Sequence, residues 1–173
     1  MASEKKIENE YTRINDEFSR IANMQNKKRI ITNKNLLEPE LSYKIQGVIY
    51  EVANKYGRGL KEQIYQKALE EELAKQRINF KQQKRINIYS LETGKKLGVY
   101  VPDFVIEDKI ILEIKATDFT ANNDINQQRS YLKASKYEIA YLVNFNTPKL
   151  YIQRSIFTND RKSFVAKIMQ THS

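Results

Sequence analysis

Residues 98–116 read GVYVPDFVIEDKIILEIKA, and this stretch decides the fold. It contains two apolar runs, Val99–Ile106 and Lys109–Ile114, on either side of an acidic turn formed by Glu107 and Asp108. Both runs are rich in Val and Ile, which are residues that favour strands. The stretch therefore predicts two strands paired as a hairpin.

Three polar residues interrupt the apolar runs: Asp103, Glu113 and Lys115. Glu113 and Lys115 are two positions apart on one predicted strand, so their side chains point to the same face of the sheet. With the acidic turn at the centre, Asp103 is expected near position 112 of the partner strand, within reach of Glu113. The pattern predicts two carboxylates and an ammonium group converging on one face.

Two interpretations of this polar group stay open. Carboxylate oxygens together with a carbonyl and waters suit a hard cation such as Mg²⁺ or Mn²⁺, and a lysine beside the metal positions a water for attack on a phosphodiester. The alternative is a surface hairpin with a solvated charge cluster. Glu113 lies within the apolar run Ile110–Ile114, however, and an interior strand tolerates a carboxylate only when it is paired or bound to metal.

The composition limits the classes of function. The 173 residues suffice for one ordinary domain with an appendage. The net charge is +9, with 30 Lys and Arg against 21 Asp and Glu, which indicates a polyanionic partner. Nucleic acid is favoured over membrane because there is no long apolar run. Cysteine is absent and the one histidine is His172, so any metal site is expected to use oxygen ligands.

The N-terminal part differs from the rest of the chain. Residues 4–26 predict an amphipathic helix with a seam of apolar residues at heptad spacing, formed by Ile7, Tyr11, Ile14, Phe18 and Ile21. This helix either packs on its own domain or makes a homodimer or a contact with a protein partner. Residues 27–35 read as a basic connector, so the predicted boundary separates residues 1–37 from residues 38–173. The polar N-terminus carries no signal-peptide pattern, which favours a cytoplasmic protein.

The remaining residues alternate between helical and strand patterns. Helices are expected over residues 38–56, 61–75, 124–136 and 158–170, and strands over residues 78–91, 97–106, 109–115, 138–145 and 150–153. Glu92–Lys95 has the composition of a hairpin turn. Strand–helix–strand units of this kind predict an α/β fold, with a mixed β-sheet flanked by helices.

Three motifs carry a family resemblance. Gly59, Glu62 and Tyr65 fit the pattern Gly-x-x-Glu-x-x-Tyr, residues 102–116 look like a Pro-Asp…Glu-x-Lys core, and residues 127–131 have Gln-x-x-x-Tyr spacing. Over about residues 40–155 the chain resembles the GxxExxY protein family of the PD-(D/E)XK nuclease superfamily, with a RecB-type core. The resemblance implies a restriction-endonuclease-like fold and a metal-dependent phosphodiesterase.

The resemblance also implies roles for individual residues. Asp103 and Glu113 would bind Mg²⁺ or Mn²⁺ with the Ile114 carbonyl beside them, Glu62 would add a carboxylate, and Lys115 would orient the attacking water. Gln127 and Tyr131 would steady the site or contact the substrate backbone. Tyr65 is expected in the core rather than in catalysis.

The sequence departs from the family pattern at two places. Ala53 stands where a His is common, and residues 140–146 read AYLVNFN rather than the usual Gly-Leu-Leu-Ile-Asn-Phe-Gly. Neither change touches the Asp–Glu–Lys core, although the change at Ala53 leaves the substrate contacts open.

Two functions of different class follow. The first is a metal-dependent nuclease that uses two carboxylates and a lysine, with DNA expected over RNA. The second is a catalytically silent module on the same fold that binds nucleic acid or protein, because a fold does not guarantee activity.

Overall fold

The computed structural model describes residues 37–165. The chain divides into two units, Met1–Tyr43 and Lys44–Ser173, and every strand of the described residues belongs to the second. The predicted helix and connector before residue 37 lie outside the described residues, so the dimer or partner role of that helix stays a prediction. The predicted boundary between residues 37 and 38 also stays a prediction.

Three α-helices form where the apolar periodicity predicts them: α1 Pro39–Tyr56, α2 Glu62–Lys75 and α3 Asn122–Lys133. Helix α1 begins at a proline, whose fixed φ suits a first helical turn. Its buried face consists of Ile45, Val48, Ile49 and Val52, the stripe expected of an amphipathic helix. In α2 Tyr65 is fully buried in the core, whereas its neighbour Ile64 is 43% exposed.

Within the described residues there are seven strands: β1 Phe80–Gln82, β2 Ile86–Tyr89, β3 Lys96–Tyr100, β4 Phe104–Ile106, β5 Ile110–Lys115, β6 Ile139–Asn144 and β7 Tyr151–Ile156. Five of them form a sheet in the order β1-β4-β5-β6-β7. The β5–β6 pair is parallel and the other pairs are antiparallel. The predicted fold class, a mixed sheet with flanking helices, is confirmed.

The other two strands form a separate hairpin, and this corrects two expectations. Residues 78–91 were expected as one strand but supply β1 to the large sheet and β2 to the hairpin. The expected strand 97–106 is likewise divided into β3 and β4, with Val101, Pro102 and Asp103 between them. Proline lacks the N–H that a continuous ladder requires, so the chain changes sheet at this point.

The central hairpin has a slightly different register from the one expected. Phe104 pairs with Leu112, and Ile106 pairs with Ile110. Carried one residue further, this register sets Asp103 opposite Glu113 rather than opposite position 112. The turn residues Glu107 and Asp108 have φ of 50° and 52°, which is the left-handed region typical of hairpin turns.

The two faces of the sheet are covered by different elements. Helix α2 packs against β5, and α3 packs against β6 and β7. On the α3 face, Ile111 belongs to a buried cluster with Ile86, Leu132 and Tyr137. Because side chains alternate along a strand, Glu113 shares the face of Ile111. The polar residues of β5 therefore lie on the side of α3 and the small hairpin.

The C-terminal region differs in detail from the prediction. Strand β7 continues to Ile156, three residues beyond the expected end. A 3₁₀ turn, Asn159–Arg161, opens the region where a helix over residues 158–170 was expected. Helical residues follow at 163–165, and the rest of that predicted helix lies outside the described residues. None of the helices in the described part of the chain is long and apolar enough to cross a membrane.

A buried carboxylate joins α1 to α2. Glu72 is 5% exposed, and its Oε2 accepts a 2.7 Å hydrogen bond from Lys55 Nζ while its Oε1 accepts a 3.0 Å bond from Gln76 Nε2. The Lys55 ammonium and the Gln76 amide lower the pKa of Glu72 to about 2. The charged form of this carboxylate is therefore the form that the fold stabilises.

We expect Glu72→Gln to lower the free energy of unfolding by about 1–3 kcal/mol at pH 7, because Lys55 loses its charged partner. The folded-state pKa lies below the unfolded-state value of about 4.5, so this contribution is complete above pH 4.5 and is lost as the pH falls toward 2. Urea unfolding at pH 7 and at pH 3 measures it. Glu71→Gln, at an exposed neighbouring position, is the matched control; equal losses in the two variants would contradict the assignment.

Candidate active site

Asp103 closes the end of the central hairpin. Its Oδ2 accepts a 2.8 Å hydrogen bond from the backbone N–H of Ile114 on β5. Burial raises the pKa of Asp103, and the Ile114 N–H and the Lys115 charge partly offset that rise. The side chain is thus held in place by one oxygen, while Oδ1 lies outside this hydrogen bond.

Glu113 lies on β5 next to Ile114, and one oxygen of its carboxylate is also held by a hydrogen bond. The hydroxyl of Tyr100, at the end of β3, donates a hydrogen bond to Glu113 Oε1. Burial raises the pKa of Glu113 to about 7, and the nearby Glu62 and Asp124 contribute to the rise while Lys115 opposes it. A carboxylate in this position needs a compensating positive charge, a cation or a proton.

Glu62 reaches the group from the first turn of α2. Burial raises its pKa, Lys115 and the backbone of Ala116 lower it, and Asp103 and Asp124 raise it. Glu62 therefore interacts electrostatically with both Asp103 and Lys115, although α2 and β5 are distant in sequence. The structure brings together four of the predicted residues: Glu62, Asp103, Glu113 and Lys115.

Asp124 is a carboxylate that the sequence reasoning did not assign to the site. It lies in the first turn of α3 and raises the pKa of both Glu62 and Glu113. An Asp in a first helical turn is also common because of the helix dipole, so its sequence position alone carries no functional signal.

The predicted pair Gln127 and Tyr131 divides into two different environments. The Tyr131 ring stacks on Tyr100, with ring centroids 4.0 Å apart, so it reaches Glu113 through Tyr100. Gln127 is exposed on α3, whereas the next residue, Gln128, is 3% exposed. Neither amide atom of Gln128 has a hydrogen-bond partner among the described residues.

Tyr65 has the structural role expected of it. Its hydroxyl donates a 2.8 Å hydrogen bond to the carbonyl of Gly57 and accepts one from the N–H of Leu60. Its ring stacks on Phe145 at 4.5 Å between centroids. These contacts shape the turn between α1 and α2, which includes Gly59 at φ 96°, a conformation that favours glycine. The turn in this way places Glu62 at the start of α2.

Two asparagines at or just after the end of β6, Asn144 and Asn146, form contacts that hold the loops around the site. Asn146 Oδ1 accepts a 2.6 Å hydrogen bond from Gly59 N, and Asn146 Nδ2 donates one to the carbonyl of Ala116. Asn144 pairs in register with Lys115 across the β5–β6 ladder. The end of β5 that carries Lys115 is therefore connected by hydrogen bonds to the turn before α2.

The donor set fits a hard divalent cation. Every candidate ligand is an oxygen, and Asp103 and Glu113 are each oriented by a single protein donor, which leaves the other oxygen of each outside those bonds. The positions of these side chains fit a metal site less well than their chemical types do. Within residues 37–165, no group of three or more Asp, Glu or His side chains lies close enough together to hold one ion.

Comparison with known proteins gives the family. The model of the PD-(D/E)XK nuclease superfamily matches residues 39–155, which is the segment that contains α1 through β7 almost entirely. The chain belongs to this superfamily. No curated protein matches the sequence.

The chain is also similar to a solved structure. The alkaline exonuclease from Laribacter hongkongensis superposes with a TM-score of 0.40 and 10% sequence identity. The match covers 78% of this chain and 82% of the exonuclease chain.

We expect Glu113→Gln to stabilise the metal-free protein at pH 8 by up to about 3 kcal/mol. The folded-state pKa of about 7 lies above the unfolded-state value of 4.5, so the folded protein loses stability as the pH rises through this interval. Glutamine mimics the protonated acid and removes that loss. The difference from wild type should shrink at pH 5, where Glu113 is protonated in the folded protein and the pH lies only slightly above the unfolded-state pKa, so that little of the loss has developed.

Urea unfolding in EDTA at pH 5 and pH 8 measures this difference. Glu71→Gln, at an exposed position of α2, is the control and should follow wild type at both values. A Glu113→Gln effect of the same size at pH 5 and pH 8 would contradict a raised pKa.

Proposed function

We propose that the protein is a divalent-metal-dependent nuclease that hydrolyses phosphodiester bonds, with DNA favoured over RNA. The observation that carries the proposal is the convergence of Glu62 from α2, Asp103 from the segment before β4, and Glu113 and Lys115 from β5, which interact electrostatically. Membership of the PD-(D/E)XK nuclease superfamily supports it. The Gly59, Glu62 and Tyr65 pattern supports placing the chain with the GxxExxY proteins of that superfamily.

The metal ligands in this proposal are Asp103, Glu113 and the Ile114 carbonyl, with Glu62 as an additional carboxylate. Mg²⁺ or Mn²⁺ bound there would supply Lewis-acid polarisation of the scissile phosphate. Nucleases of this superfamily generally use divalent metals, and oxygen donors suit both ions. The hydrogen bond from Ile114 N–H orients the Asp103 carboxylate, and the Tyr100 hydroxyl orients Glu113.

Lys115 has two roles in the proposed reaction. Its ammonium group partly offsets the rise in the pKa of three carboxylates, Glu62, Asp103 and Glu113, which favours the charged form that would bind a cation. The same group would hold the attacking water and stabilise the negative charge that grows on the phosphate oxygens. Tyr131 would support the site indirectly through its stack on Tyr100, and Gln127, which is exposed on α3, would contact the substrate backbone.

The charge of the chain supports a nucleic-acid substrate. Its net charge of +9 would attract the phosphate backbone without reading bases, so binding should weaken as salt rises. Glu62, Glu113 and Asp124 form a local negative region within this basic chain, and such a region requires a cation before a phosphate approaches.

A second function is favoured by one observation. The absence of a group of three acidic side chains in metal-holding geometry within the described part of the chain suits a module that binds nucleic acid or protein and does not cleave. Such a module would have no need for partly buried carboxylates at Asp103 and Glu113, because charged groups in an interior strand cost stability. Metal binding and cleavage distinguish the two.

Cleavage of labelled single-stranded DNA, double-stranded DNA and RNA in Mg²⁺ or Mn²⁺ tests the proposed function. We expect metal-dependent cutting by wild type and a loss of at least roughly 100-fold in Lys115→Ala and in Asp103→Asn. Lys149→Ala, which removes an exposed lysine elsewhere, should cut normally. Full activity in either site variant would remove the residue assignment, and no cutting by folded wild type would favour the binding module.

Calorimetry with Mn²⁺ tests the metal site without relying on activity. Wild type should bind Mn²⁺ with a measurable heat, and Asp103→Asn should lose most of it because one anionic ligand is gone. Asp160→Asn replaces an exposed aspartate outside the site and should bind as wild type does. An unchanged heat in Asp103→Asn would show that the metal binds elsewhere.

A further inference from the structure

Phe119 is an exposed aromatic residue beside the candidate active site. Its side chain is 71% exposed, whereas the exposed tyrosines of the described residues are 43–50% exposed. Burying a phenyl ring is favourable, and this fold leaves the ring in solvent. An aromatic surface that is not needed for packing is available for a ligand.

The loop that carries Phe119 is fastened to the sheet. Thr117 Oγ1 donates a 2.8 Å hydrogen bond to the carbonyl of Phe119. Asn144, which is fully buried, donates to the hydroxyls of Thr117 and Thr120 at 3.1 Å each and accepts a bond from Thr117 N at 3.3 Å. The backbone at Phe119 is held on both sides while its ring projects into solvent, so little ordering entropy would be lost on binding.

The loop that carries Phe119 lies between residues of the candidate active site in the sequence. Phe119 follows Lys115 by four residues and precedes Asp124 by five. Four residues of chain span at most about 14 Å, so the backbone of Phe119 lies within that distance of the Lys115 backbone. A nucleotide adjacent to a phosphate at the site is of this size, and its base is the part that a ring at the rim would meet.

We propose that Phe119 stacks on an unpaired base next to the scissile phosphate, and that the site therefore takes single-stranded nucleic acid or single-stranded ends. This inference rests on the proposed nuclease function. Stacking of a base on an aromatic side chain is worth about 1–3 kcal/mol and tolerates every base, which suits a chain with surplus positive charge for the backbone. A paired base is already stacked within the duplex, and exposing it costs energy.

Binding measured in the Lys115→Ala protein tests the proposal without cleavage. The probes are a single-stranded oligonucleotide that carries one 2-aminopurine and the same oligonucleotide annealed to its complement. Phe119→Leu keeps an apolar side chain of similar size but lacks the ring, and Phe119→Trp keeps a ring. Tyr50→Leu, which removes a ring that is 50% exposed on α1, is the matched control.

We expect Phe119→Leu to weaken single-strand binding roughly tenfold and duplex binding less than twofold. The 2-aminopurine fluorescence, which stacking quenches, should recover in this variant and stay quenched in Phe119→Trp and in Tyr50→Leu. Equal losses on single strand and duplex, or unchanged single-strand binding in Phe119→Leu, would overturn the proposal.

The cleavage assay separates this inference from the proposed function. Metal-dependent cutting by wild type, together with single-strand binding that does not change in Phe119→Leu, would overturn the stacking role alone. Phe119-dependent single-strand binding by a folded protein that never cuts would overturn the nuclease function alone. Absence of any nucleic-acid binding would overturn both.

Discussion

The hydrogen bond from Ile114 N–H to Asp103 sets the geometry on which the site depends. The antiparallel ladder between β4 and β5 ends at Phe104 and Leu112, so Ile114 lies beyond the last partner on that side. A buried N–H without an acceptor is costly, and the Asp103 carboxylate takes the place of a strand carbonyl. Pro102, which has no N–H to add to a ladder, releases the chain at this point. The gap that results is where the carboxylates and Lys115 meet.

The strand that carries the site is an unfavourable environment for charged side chains. Strand β5 is an interior strand, with parallel pairing on one side and antiparallel pairing on the other. Burial raises the pKa of Glu113 on this strand, and it also raises the pKa of Asp103 and of Glu62 from α2. Lys115 partly offsets each of these rises, whereas Asp124 adds to those of Glu62 and Glu113. A divalent cation is the simplest group that would stabilise the charged form of these carboxylates.

Local sequence patterns were sufficient for the helices and the central strands, because each buries a face whose period is visible in the chain. The fully buried β6 follows from its continuous apolar run in the same way. The patterns could not show that residues 78–91 and 97–106 each divide between two sheets, since strand pairing depends on distant residues and not on local propensity. For the same reason Tyr100 was missed: its role depends on contacts with Glu113 and Tyr131 that no local spacing encodes.

Within the candidate site, the motif residues could be placed and their supports could not. The Glu-x-Lys spacing fixes two side chains on one face of a strand by geometry alone. The contribution of Asn144 arises only from the parallel register that sets it opposite Lys115. That register brings the buried side-chain amide of Asn144 to the start of the loop after β5, where it donates hydrogen bonds to Thr117 and Thr120. One ladder therefore fixes both the lysine and the loop that carries Phe119, so a change in the β5–β6 register would move the chemistry and the adjoining aromatic surface together.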